Sequence, residues 1–393
     1  MAELERMHIA FFGKRNAGKS SLVNAVTAQE LSLVSPCAGT TTDPVKKAME
    51  LLPLGPVLII DTPGIDDEGE LGTLRVRKAR QVLGHTDLAV LVVDAALGLG
   101  AQDRELLSLF EEKHIPALIA YNKCDLLASG SVPKAVAGFT ALSVSAREGT
   151  NIQTLKESLA ALGKQAKVES HLVADLLHPG DAVLLVIPLD AAAPKGRLIL
   201  PQQMVLRDVL DAGAIPFACT PEMLPRALAL LPEAPSLVIT DSQVFGAVNK
   251  ALPPAVPLTS FSILMARCRG TLLSSVRGVR RLASRQDGDV VLISEGCTHH
   301  RQCGDIGTVK LPAWVKEFTG KNLRFAFTSG GDFPEDLSPY SLVIHCGGCM
   351  LSAGEMKMRI ASCEACGTAV TNYGMVIAHV HGILARSLAP LGL

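Results

Sequence analysis

Residues Gly13-Lys14-Arg15-Asn16-Ala17-Gly18-Lys19-Ser20 fit the pattern G-x-x-x-x-G-K-S/T, directly after an apolar run and at the head of a helical pattern. In such a loop the glycines let backbone N–H groups close around phosphates at a helix N-terminus. Lys19 then reaches the β- and γ-phosphates, and the Ser20 hydroxyl ligates Mg2+. Asp61-Thr62-Pro63-Gly64 follows the apolar run VLII, so Asp61 can hold the Mg2+ shell while the Gly64 N–H senses the γ-phosphate. Asn122-Lys123-Cys124-Asp125 ends a further apolar run. Its aspartate can accept both N1–H and the exocyclic amine of guanine, a donor pair adenine lacks, so GTP is expected over ATP. Ser145-Ala146 closes the set, and the expected contacts with the nucleotide also take in Gly13, Asn16, Ala17, Gly18, Ser21 and Lys123.

A second set of reactive residues lies near the end. Cys297-Thr298-His299 follows the run DVVLISEG, and His345-Cys346-Gly347-Gly348-Cys349 follows SLVI. C-x-x-C after a strand lets two thiolates converge on one metal, and a third cysteine plus a histidine makes two centres possible: zinc in Cys3His form, or an iron–sulfur cluster on three cysteines. Spacing alone does not choose between them. Cys303 is a rival ligand. Cys363 and Cys366 share one face of a helical pattern and read as packing residues, with a second metal or redox pair as the other option. Arg277, Arg280, Arg281 and Arg285 fall on one helical face, either solvated or docking an anionic partner.

These residues need elements to carry them. Residues 7–163 alternate short apolar runs with amphipathic stretches, as a mostly parallel sheet wrapped by helices requires. The fold class expected is α/β: a P-loop GTPase-type domain over 1–164, then two smaller α/β domains over 172–265 and 266–393. GKQAKVES (163–170) reads as a linker, and no internal repeat is visible in the residue pattern. The middle segment shows no chemistry of its own.

Composition narrows the classes further. The 393 residues are 48% apolar and 19% charged, enough to bury several cores. Lys+Arg 37 against Asp+Glu 38 leaves a net charge of −1, so no nucleic-acid partner is expected. No run reaches the roughly 18 apolar residues of a membrane span, and MAELERMHIAFFG does not read as a signal peptide, so the expected place is the cytoplasm. Ten cysteines there point to metal rather than to disulfides.

Over 7–163 the motifs resemble the Era and tRNA-modification (TrmE-like) branch of the translation-factor-like GTPases, whose loop reads G-x-x-N-x-G-K-S. That resemblance implies that Asn16 helps bind a K+ ion, acting in catalysis with Lys19 and Gly64. It also implies that Thr41 of Gly39-Thr40-Thr41-Thr42-Asp43 ligates Mg2+, with Thr40 and Thr42 as close rivals. Ile65 stands where a Ras-type enzyme positions water with Gln, so slow hydrolysis is expected. C-x-H, a gap over 300–344, then H-C-x-x-C, behind such a domain and a middle segment containing VIPLDAAAPKGRLILPQ, resembles the HydF family of [FeFe]-hydrogenase maturation GTPases along essentially the whole chain. It implies a [4Fe-4S] cluster on Cys297, Cys346 and Cys349, with His299 or His345 as fourth ligand, and a homodimer formed through the middle domain. It further implies a scaffold that assembles or carries the diiron precursor and delivers it to apo-[FeFe]-hydrogenase, with radical-SAM maturases as partners. The rival readings are a GTPase acting on RNA or the ribosome with a structural metal domain, and a redox protein regulated by GTP.

Overall fold

The computed structural model describes residues 6–27, 45–63, 82–84, 86–127, 135–136, 138–166, 172–189, 198–296, 306–330, 332–348, 351 and 353–393. The chain divides into two compact units, residues 1–168 with 352–358 and residues 169–351 with 359–393.

In the first unit the described residues form a seven-stranded sheet in the order β2-β3-β1-β4-β5-β7-β6. The strands are β1 (Met7–Phe12), β2 (Val45–Leu51), β3 (Gly55–Asp61), β4 (Leu88–Asp94), β5 (Ala117–Asn122), β6 (Ala135–Val136) and β7 (Phe139–Ser143). β3, β1, β4, β5 and β7 run parallel, while β2 and β6 are antiparallel additions at the two edges. Helices α1 (Lys19–Thr27) and α2 (Ala101–Glu112) lie between strands, and α3 (Ile152–Ala166) follows the last one. Both faces of the central strands are covered: Ile9, Phe11, Val57 and Ile59 enter one core, and Ala10, Phe12, Leu58 and Ile60 the other. That explains why these strands read as unbroken apolar runs. Because they are parallel, the segments after their carboxyl ends line one edge of the sheet, where ligands of open α/β sheets bind.

The second unit holds two four-stranded parallel sheets. The first has the order β11-β10-β8-β9, from β8 (Ala182–Val186), β9 (Ile215–Cys219), β10 (Leu237–Thr240) and β11 (Leu258–Ser260). The other has the order β13-β12-β14-β15, from β12 (Val290–Glu295), β13 (Arg324–Ser329), β14 (Leu342–His345) and β15 (Ala369–Asn372). Counted within each sheet, both orders are second-first-third-fourth. The helices are α4 (Leu200–Asp211), α5 (Leu224–Leu230), α6 (Phe245–Ala251), α7 (Phe261–Cys268), α8 (Leu272–Arg280), α9 (Leu311–Thr319), α10 (Ala353–Ala365), α11 (Tyr373–Val380) and α12 (Leu384–Leu388).

The repeat absent from the residue pattern is therefore present in the backbone, and it extends to details. Val183–Val186 pair with Leu237–Thr240 as Val291–Ser294 pair with Leu342–His345. Thr240 pairs with Ser260 as His345 pairs with Asn372, and each of these fourth-strand residues caps the next helix, Ser260 accepting from Ile263 N and Asn372 from Met375 N. The second helix after each sheet's fourth strand packs on the fourth strand of the other sheet. α8 lies against β15, where Thr371 Oγ1 donates to Ser275 O at 2.8 Å and Gly278 leaves no room for a Cβ over the Val370 carbonyl. α12 lies against β11, and Arg386 reaches Asn249 Oδ1 at 2.8 Å and Val256 O at 2.9 Å. One buried cluster runs through both halves, from Leu184 and Val238 to Ile293, Ile344 and Val376.

The four arginines do not share one helical face. α8 ends at Arg280, and Arg285 lies beyond it with Nη1 donating to Ser341 O at 2.6 Å, while Arg277 pairs with Glu364 at 2.8 Å. Among the described residues no helix is long and apolar enough to cross a membrane.

Candidate functional site

The phosphate loop sits between β1 and α1. Gly13 (φ 142°) and Gly18 (φ 87°) adopt backbone open chiefly to glycine, and a Cβ on them would meet the Val92 carbonyl and the Asn122 amide respectively. Asn16 is left-handed as well (φ 59°) and exposed. Lys19 is buried, its Nζ donating to Gly13 O at 3.0 Å and Lys14 O at 2.8 Å, so the amine closes the cradle from within. Ser20 Oγ donates to Asp61 Oδ2 at 2.6 Å, which puts the two expected Mg2+-side oxygens in contact at the ends of α1 and β3. Thr62 is anchored to Phe11 O at 2.7 Å. Thr41, Gly64 and Ile65 lie outside the described residues, and Ser21 sits on α1.

The base-side residues are wired to this loop. Asn122 is buried and donates through Nδ2 to Ala17 O at 3.0 Å while its Oδ1 accepts the Ala146 N–H at 3.0 Å, joining β5, the loop and the segment after β7. Ser145 Oγ donates to Asp125 Oδ1 at 2.6 Å, orienting the carboxylate expected to read guanine. Two acidic residues escaped the motif reading. Asp94, at the end of β4, takes Lys123 Nζ at 2.6 Å, with Lys123 left-handed at φ 63°. Burial pushes the Asp94 carboxyl up, yet the Lys123 ammonium and the Ala96 N–H outweigh it and hold it below its ordinary range. Asp103 is buried on α2, receives the Gly100 N–H at 2.8 Å and faces Lys14 at 3.6 Å. A carboxylate closing an apolar strand was the available signal for Asp94; Asp103 had none beyond helix capping.

In the second unit Cys297, His299, Cys303 and Cys349 lie outside the described residues. Cys346 follows β14, and its Sγ accepts the N–H groups of Gly296 at 3.0 Å and Gly348 at 3.3 Å. Two backbone N–H groups thus converge on one sulfur. The Gly296 contact brings the residue that follows β12 against the Cys346 sulfur. His345 is buried, with Nδ1 3.0 Å from Cys346 O and Nε2 3.0 Å from Arg359 Nη1. Buried Arg269 donates from Nη1 to Gly348 O at 2.5 Å. Buried Glu295, at the end of β12, accepts from Tyr373 OH at 3.3 Å. Neither arginine, nor Glu295, belonged to a recognisable motif. Cys363 is buried on α10, and burial first, then Cys366 and Glu364, pushes its thiol up to about 12. That is a packing thiol, while Cys366 is exposed. Among the described residues no group of three or more His, Cys, Asp or Glu could hold a metal.

Residues 8–123 match the family model of the 50S ribosome-binding GTPase, residues 172–270 that of the Hydrogen maturase F dimerization domain, and residues 273–390 that of the Hydrogen maturase F tetramerization domain. The chain is 37% identical over 155 residues to the tRNA modification GTPase MnmE of Desulfotalea psychrophila, covering 37% of this chain and 32% of that protein. It is 35% identical over 130 residues to GTPase Der of Kosmotoga olearia, covering 32% of this chain and 29% of that one. It thus spans about a third of the length of these curated relatives. A crystal structure of Era from Aquifex aeolicus overlaps 57% of this chain and 98% of its own at 20% identity, with a TM-score of 0.36, too loose a likeness to carry weight. A GTPase domain followed in one chain by both Hydrogen maturase F domains makes this protein a member of the HydF family of hydrogenase maturation GTPases.

Proposed function

We propose that the first domain binds GTP with Mg2+ and hydrolyses it slowly, and that the second unit is a scaffold for the diiron precursor of the [FeFe]-hydrogenase active site. The observation that carries this reading is the pairing of two sites in one chain: a wired guanine-nucleotide loop, and a sulfur, Cys346, held by the N–H groups of Gly296 and Gly348. Lys19, with the loop amides, takes the β- and γ-phosphates; Ser20 and Asp61, with Thr41, serve the Mg2+; Asn122 and Asp125 hold the base. Asn16, exposed and left-handed in the loop, is the residue for a K+ ion. Cys297, Cys346 and Cys349 hold a [4Fe-4S] cluster, and three protein thiolates leave one iron open for a second metal fragment. The Gly296 and Gly348 N–H groups fix the direction of the Cys346 sulfur, and the candidates for a fourth ligand are His299 and His345.

A homodimer would form along β9, an edge strand of its sheet, where Ile215 is 51% and Phe217 40% exposed. The expected partners are apo-[FeFe]-hydrogenase, which receives the precursor, and the radical-SAM maturases that supply it.

The test is anaerobic reconstitution of the full chain with iron, zinc and sulfide, followed by metal counting, EPR, and activation of apo-hydrogenase by the loaded protein. Iron with a cubane EPR signal is expected, with Cys346→Ala losing both iron and activation. One zinc in place of iron would end the scaffold reading. The nucleotide half is checked separately: Asp125→Asn should weaken GTP about 100-fold or more and favour xanthine nucleotides, and Asn16→Ala should abolish a faster hydrolysis in K+ than in Na+.

A further inference from the structure

We infer that His345 is a strut rather than a metal ligand, and that buried Arg359 is the positioning residue that holds it. The inference deepens the cluster reading and rests on it for its functional meaning. Arg359, on α10, is 1% exposed. A buried guanidinium is costly unless its N–H groups are used. Nη1 reaches Ser294 Oγ at 3.3 Å and His345 Nε2 at 3.0 Å, Nη2 donates to Gly330 O at 2.7 Å, and the group lies 5.0 Å from the centre of the Phe333 ring.

Arginine only donates, so Nε2 of His345 must accept. The proton of the neutral ring then sits on Nδ1, which donates to Cys346 O at 3.0 Å. Both nitrogens are spent, one lone pair on Arg359 and the other masked by a proton, and neither can reach iron. The consequence is a turn held at successive polar atoms. His345 fixes the Cys346 carbonyl, Gly296 and Gly348 fix its sulfur, and Arg269 fixes the Gly348 carbonyl just before Cys349. The guanidinium also places a positive charge one side chain away from a centre that three thiolates make anionic. A cation there favours the added electron, so it raises the reduction potential.

The test uses the full chain labelled with 15N-histidine, native and as His345→Gln, Arg359→Met and Arg359→Lys. In the metal-free protein, nitrogen NMR should show one histidine fixed with the proton on Nδ1. That signal should vanish in His345→Gln and be lost or averaged in both Arg359 variants. In the reconstituted protein, His345→Gln should keep its iron and the native pattern of nitrogen couplings in pulsed EPR. Arg359→Met should shift the midpoint potential to more negative values, and Arg359→Lys, which keeps the charge without the fork, should restore it. Loss in His345→Gln of a nitrogen coupling that the native cluster shows would overturn the inference. So would a native tautomer signal that survives in Arg359→Lys. If the native chain takes up no iron, the cluster reading falls by itself, and the metal-free spectra still decide whether Arg359 holds His345. Should Arg359→Met fail to fold, the loss of the tautomer signal in Arg359→Lys carries the test.

Discussion

At the last rung shared by β8 and β10, Val186 faces Thr240; at the same rung of β12 and β14, Ser294 faces His345. One residue further, the two halves part. Asp241 takes the amide of Gln202 at 2.8 Å and becomes an internal tie, whereas Cys346 collects two backbone N–H groups on its sulfur. The third strand and its ladder are alike, and so is the cap on the helix after the fourth. The difference is chemical and lies in the segment past the strand ends, which is where a parallel sheet leaves residues open to specialise. Duplication of a frame does not duplicate a site. It does impose a shared energetics, because α8 and α12 are exchanged and one core serves both sheets.

The comparison is most easily broken at Gly278. A Cβ there would press on the Val370 carbonyl, which is backbone and cannot swing aside. Gly278→Val should cost upwards of about 4 kcal/mol, and denaturation followed by circular dichroism should show both halves melting early. A biphasic curve in which one half keeps its native midpoint would mean that the halves are independent. Arg386→Ala comes next. It removes donors from Asn249 and Val256 in the first half, at a cost of about 2 kcal/mol. The one tryptophan, Trp314, lies in the second half on α9, so its fluorescence should report the same loss; an unshifted fluorescence midpoint would show that stability is not shared. The finest test compares the caps. Ser260→Ala and Asn372→Ala should each cost about 1 kcal/mol, and nearly equal values by urea titration would confirm that the two positions are equivalent.

Of the parallel strands of the first unit β7 is only partly buried, whereas the other four, β1, β3, β4 and β5, were legible because burial on both faces makes them continuous apolar runs. β2 was not, since VKKAMEL places Lys46, Lys47 and Glu50 on an edge strand half open to water. In the second unit β8, β10, β12, β13 and β14 announced themselves. β9 carries Pro216, β11 has only three residues after a proline run, and β15 is short and polar, so three strands of the repeat lacked a pattern and the repeat stayed hidden. The nucleotide residues were readable because phosphate and guanine chemistry fixes their types at fixed distances. Arg359, Arg269 and Glu295 were not, because their role depends on neighbours 14 to 79 residues away in sequence, a relation no local spacing records.

The exchange of helices also sets an order on synthesis. β11 emerges from the ribosome early, but the helix that covers it, α12, is made only after the whole of the second half. Until then the first half lacks the helix that lies against β11. A nascent chain arrested after Cys268 should therefore stay protease-sensitive across 182–260, however long it waits, and turn resistant only when residues 384–388 are out. The two sheets of the second unit would thus be completed together.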